Sequence, residues 1–140
     1  MSARILQRSV TVFLAIGLAM SAELPIAGHY SAPASEVALL PQFCWWLYMD
    51  NVSGPQYTIH DCGPMMNHYC DGLLELQRAN KALGVKKRGE RLQHLQRAKT
   101  NTIYTLNGMK GFPNCHIRQH AETTLKQVNA LLNAYGPTRK

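Results

Sequence analysis

The side chains with the most chemistry to offer in this sequence are its 4 cysteines and 6 histidines. His60 and His68 flank Cys62 and Cys70, and Cys115 directly precedes His116. His116 and His120 stand four apart, so they share one face if their segment is helical. With reduced sulfurs, His68, His116, His120 and Cys115 are a reasonable ligand set for zinc or copper. Met65 and Met66 add thioethers of the kind that suit Cu(I). The spacing argues the other way, because no Cys-x-x-Cys occurs and covalent haem would need Cys-x-x-Cys-His. An even number of cysteines reads instead as two disulfides if the chain reaches an oxidising compartment, with three connectivities open. The expectation is therefore no cofactor, with a copper or zinc site built from Cys, His and Met as the alternative.

Catalytic patterns are absent. The chain has no Gly-x-Ser-x-Gly, no glycine-rich phosphate loop and no His-Glu-x-x-His. Cys115-His116 and His60-Asp61-Cys62 are neighbours in sequence, whereas catalytic pairs are assembled across a fold. A bonded cysteine is also no nucleophile. The chain is expected not to be an enzyme.

Two other groups could meet a partner. Trp45, Trp46 and Tyr48 lie in the apolar run Phe43–Met49, and paired tryptophans are common anchors at protein and membrane interfaces. Lys86, Lys87, Arg88 and Arg91 form a basic run that could meet anionic lipid headgroups. The whole chain carries 15 Lys and Arg against 8 Asp and Glu, a formal charge of +7. In an oxidising compartment the counterparts of such a surface are anionic lipid, polysaccharide or an acidic protein face rather than nucleic acid.

Those groups are positioned by a simple layout. Arg4 and Arg8 precede Ser9–Met20, an apolar run of about 12 residues, well short of the roughly 20 a membrane span needs. Small residues follow at Ser21 and Ala22. This is the three-part form of a Sec-type secretory signal, residues 1–21, and it implies a periplasmic or secreted protein. Residues 22–41, punctuated by Pro25, Gly28, Pro33 and Pro41, read as a flexible lead-in. Residues 42–136 form the domain, and 137–140 a tail.

Three helical stretches make up the body of that domain. One spans about Met65–Leu83, with Met66, Tyr69, Leu73, Leu76 and Leu83 on one stripe, Pro64 in its first turn and Gly84 as a left-handed cap. The next spans about Lys86–Met109, with Leu92, Leu95, Ala98, Thr102, Ile103, Leu106 and Met109 on its stripe. The last spans about Asn114–Tyr135, with Asn114 as its N-cap and Ile117, Ala121, Thr124, Val128, Leu131, Leu132 and Tyr135 on its stripe. None can bury its stripe alone, so the expected fold is all-α: a small antiparallel bundle or a helical-repeat fragment, tied by disulfides. A chain this short buries only about two thirds of its unfolded surface, so such ties matter.

The segment Met66-Asn67-His68-Tyr69-Cys70-Asp71-Gly72-Leu73, continuing to Arg78-Ala79, resembles a group of small exported bacterial proteins of tetratricopeptide-repeat-like type. These share a His-Tyr-Cys-x-Gly-Leu helix start and an upstream Pro-x-aromatic-Cys element, here Pro41-Gln42-Phe43-Cys44. The resemblance covers roughly residues 41–135 and is specific around 66–79. It implies an α-solenoid of paired helices used for protein–protein contact, without known catalysis. Together with the architecture and the basic surface, it leads to the expectation of an accessory subunit of a larger envelope complex. It also implies a Cys44–Cys70 bond, which leaves Cys62 with Cys115. In an up-down-up array the starts of the first and third helices share one end, which is compatible with that second pair. The general repeat pattern is only partly met: Gly72 fits, but Asp71 and Glu75 occupy the leucine and tyrosine offsets. At most one and a half repeats fit.

Overall fold

In a computed structural model of the chain, residues 31–50, 52–57, 59 and 61–136 are described. The signal segment, the first part of the lead-in, His60 and the tail 137–140 lie outside them. The described residues form helices and turns with no strand. The helices are α1 (Ala34–Val37), α2 (Met66–Lys81), α3 (Arg88–Gly108) and α4 (Arg118–Tyr135). Short 3-10 turns occupy Gln42–Leu47, Pro55–Tyr57, Val85–Lys87 and Met109–Gly111. The fold is all-α and disulfide-tied.

The register of α2 against α3 is written in side-chain bonds. Thr105 Oγ1 donates to Met65 O (3.2 Å), Asn101 Nδ2 to Asp71 Oδ2 (2.6 Å), and His94 Nδ1 meets Glu75 Oε2 at 2.7 Å. Partners descend α2 as they ascend α3, so the two are antiparallel. Gly72 permits the close approach: a Cβ there would lie 3.2 Å from Thr102 Oγ1 and 3.4 Å from Ala98 O. Helix α4 runs back along α3. Arg88, opening α3, reaches the carbonyls of Tyr135 and Gly136, while Arg118, opening α4, donates to those of Met109 and Phe112.

Apolar side chains gather in three clusters. One surrounds Cys44–Cys70 with Ala32, Val37, Leu40, Leu47, Tyr48 and Leu74. A second surrounds Cys62–Cys115 with Met66, Tyr69, Met109, Ile117 and Ala121. The third, Leu76, Ala79, Leu95, Ala98 and Val128, is held by the helices alone. Both disulfides are formed, with Cα–Cα separations of 5.4 Å for Cys44–Cys70 and 4.6 Å for Cys62–Cys115. Both separations lie inside the range that the bond requires.

Several expectations are corrected. The end of the lead-in is packed rather than flexible: Ala32, Val37 and Leu40 are buried, and Glu36 pairs with Arg78. A four-residue helix has no periodicity to read, and its order comes from tertiary contact. Helix α4 begins at Arg118 rather than Asn114. The intervening turn is fixed by the Cys62–Cys115 bond and by Arg118, which takes carbonyls that a longer helix would have used. Pro64 precedes α2 instead of occupying its first turn. Gly84 does have positive φ, but its ψ of 161° is extended, and α2 closes earlier at Ala82. Leu83, Ile103 and Tyr135, read as stripe residues, are exposed, and Tyr48, read as an interface aromatic, is core.

Candidate interaction groove

The end of the bundle farthest along α2 has no covalent tie and opens into a groove of about 540 Å³. It is lined by Leu83, Gly84 and Val85 from the α2–α3 turn, Arg88 and Arg91 from the start of α3, and Ala134 and Tyr135 from the end of α4. The turn explains the exposed apolar surface. Gly84 has φ +92°, a conformation L side chains rarely adopt, and the chain leaves it with Val85 92% exposed and Leu83 62% exposed. Single exposed apolar residues are ordinary, but a rimmed group of them marks a contact site.

The two arginines are fixed differently. Arg88 donates from Nε to Tyr135 O (3.1 Å) and from an Nη to Gly136 O (2.9 Å). It thereby satisfies carbonyls left over at the end of α4 and sits at the negative end of that helix dipole. Arg91 is only 9% exposed, with its guanidinium carbon 3.7 Å from the centroid of the Tyr135 ring. That stacking favours a cation over an aromatic face. Its Nε is buried without a hydrogen-bond partner, and among the described residues no carboxylate pairs with it.

A second cluster lies on the other side of the α2–α3 turn and is satisfied throughout. Arg78 bridges Glu36 (2.9 Å) and Glu75 (3.1 Å), and Glu75 also meets His94. Burial pulls the Arg78 guanidinium down, but Glu36 and Glu75 more than offset it and leave its pKa raised. Burial, followed by the charge on Glu75, raises the Asp71 carboxyl above its ordinary value. Here Glu36, Glu75 and Arg78 each have a counter-charge and Asp71 is bonded by Asn101, and Arg91 is the contrast.

The sequence-predicted residues separate. Lys86 and Lys87 are exposed on the 3-10 turn beside the groove, and Arg88 and Arg91 line it. Arg91 is not the solvated cation that the basic run suggested. Trp45, Trp46 and Tyr48 do not line it. Trp45 donates from Nε1 to Leu40 O (3.0 Å) and packs against Tyr57, whereas Trp46 is 46% exposed. Leu83, Val85 and Tyr135 were missed as site residues. The readable signal was a glycine turn carrying an apolar residue into a basic run.

The metal set does not assemble. His116 Nδ1 bonds Asp61 Oδ2 at 2.9 Å, and that hydrogen bond lowers the Asp61 carboxyl below its usual value. His120 bonds Tyr69, and His68 meets Asn101 Oδ1 at 3.4 Å and packs at a tilt against the Tyr104 ring. Asp61, Cys62 and His116 bring ligand atoms within 4.8 Å of one another, but Cys62 Sγ is bonded to Cys115 and offers no thiolate. Tyr69, pushed up to about 12 by burial, stays a neutral phenol that also bonds Thr124.

No described helix is long and apolar enough to cross a membrane. Two disulfides fit an oxidising compartment. Comparison with protein-family models, curated proteins and solved structures finds no match.

Proposed function

We propose that the chain is an exported, non-catalytic interaction module of the cell envelope, an accessory subunit that docks on a larger assembly through the groove between the α2–α3 turn and the end of α4. One observation carries this reading: Val85, 92% exposed, stands beside an arginine that is nine-tenths buried and has no carboxylate partner among the described residues. Apolar exposure next to an unpaired buried charge costs an isolated protein stability and is relieved by a bound partner. Export is supported by Arg4, Arg8 and the apolar run Ser9–Met20, and by the two disulfides. The repeat-like segment around Cys70 supports a contact role over a catalytic one. So does the pairing of all four cysteines, which leaves no thiol for chemistry.

A photo-crosslinking residue at position 85, in cells making the full chain, tests the reading. A covalent adduct with an envelope protein is expected, and the same residue in place of Thr123, exposed on α4 away from the groove, should give none. Adducts with lipid alone, or no adduct at either position, would sink it.

A further inference from the structure

We infer that Arg91 receives a carboxylate from the partner, so that the groove takes an acidic protein segment flanked by apolar residues. The inference rests on the docking role proposed above and names the chemistry of the occupant.

Three observations point to that occupant. Arg91 lines the groove at 9% exposure, with its Nε buried and unbonded and its guanidinium in no hydrogen bond or ion pair among the described residues. A guanidinium presents donors in a fork that matches a carboxylate, and the pairing gains strength where water is excluded. The remaining charge near the groove is also positive. Arg88 is engaged only with backbone carbonyls, and Lys86 is exposed on the adjoining turn, while Lys87 lines the neighbouring cavity. Among the described residues no acid lines the groove, and Glu90, near it in sequence, faces His94 at 3.9 Å and lines the neighbouring cavity. Finally, Leu83, Val85, Ala134 and Tyr135 give the groove an apolar lining suited to Leu- or Phe-like side chains on either side of the acid.

Other occupants fit less well. A membrane surface is flat and would engage exposed lysines rather than a buried arginine. A second copy of this chain offers only Asp50, Glu90 and Glu122 among the described residues, since Glu36, Asp61, Asp71 and Glu75 are bonded within the fold.

The test uses the disulfide-bonded protein purified after export. Its probes are a fluorescein-labelled peptide with Leu and Glu at helical spacing, the same peptide with Gln for Glu, and phosphatidylglycerol vesicles. The Glu peptide should bind at least tenfold tighter than the Gln peptide. Arg91→Leu should erase that difference. Val85→Asp should weaken both peptides at least tenfold without unfolding the chain. If Arg91→Leu does not fold, Arg91→Lys should reduce the preference, since it keeps the charge and loses the fork. Equal affinity for both peptides, a preference that survives in the Arg91 variants, vesicle binding without peptide binding, or self-association abolished by Val85→Asp would each overturn the inference. A position-85 crosslink to protein alongside equal peptide affinities would leave the docking role and remove the carboxylate. A discriminating peptide with no crosslink in cells would leave the site and remove the envelope partner.

Discussion

Glu75 Oε2 lies 2.7 Å from His94 Nδ1, and its other oxygen lies 3.1 Å from Arg78. One buried carboxylate on α2 thus ties α3 on one side and, through Arg78 and Glu36, the short helix α1 on the other. Removing one member of a buried charged set costs about 3 kcal/mol, because the others are left uncompensated. Glu75→Ala should therefore lower stability by about that much, and Glu75→Gln, which keeps an acceptor, by less. Urea unfolding of the three proteins at pH 7 checks the order.

Asp71 should oppose folding at neutral pH. Burial and then Glu75 raise its pKa above the ordinary 3.8, so the folded chain holds this proton more tightly than the unfolded one. The contribution is full below the unfolded value and is lost as pH rises through the raised folded value. Asp71→Asn can still accept the bond from Asn101. It should melt higher than the parent at pH 7, and the two melting temperatures should converge below the ordinary carboxylate pKa.

Gly63 should not tolerate a side chain. Its φ is +78°, and an added Cβ would sit 2.3 Å from the Phe112 ring. Backbone strain and overpacking together put the cost of Gly63→Ala at about 2–4 kcal/mol. Gly89→Ala, with open space around its Cβ, is the control and should stabilise slightly, by about 0.5 kcal/mol. Thermal melts of both variants decide the matter.

Each disulfide should be worth a few kcal/mol. Closing loops of 26 and 53 residues corresponds to about 3.5 and about 4 kcal/mol on a chain-entropy account. Replacing Cys62 and Cys115 by Ala should therefore cost slightly more than replacing Cys44 and Cys70. The second change should free the N-terminal segment first, read as early proteolytic cleavage within residues 31–50.

The helices of the body were legible because Met66, Tyr69, Leu76, Leu95, Ala98, Ala121 and Val128 repeat at helical spacing and are buried. The packing of Val37 and Leu40 was not, since a four-residue helix carries no period and depends on α2 for its order. Arg91 was legible as a charge but not as a buried one: whether an arginine at the start of a helix is solvated depends on where the end of another helix lands. Glu75 shows the same limit. A lone acid among leucines reads as a misfit to a repeat pattern until Arg78 and His94 are seen around it.

The two disulfides interleave: Cys44 pairs past Cys62, and Cys62 pairs past Cys70. Exported as proposed, N-terminus first into an oxidising space, the chain would present Cys44 and Cys62 together before either native partner arrives. Oxidation in order of appearance would join the wrong two. By that route, biogenesis would depend on holding those thiols apart until α2 forms, or on shuffling bonds already made.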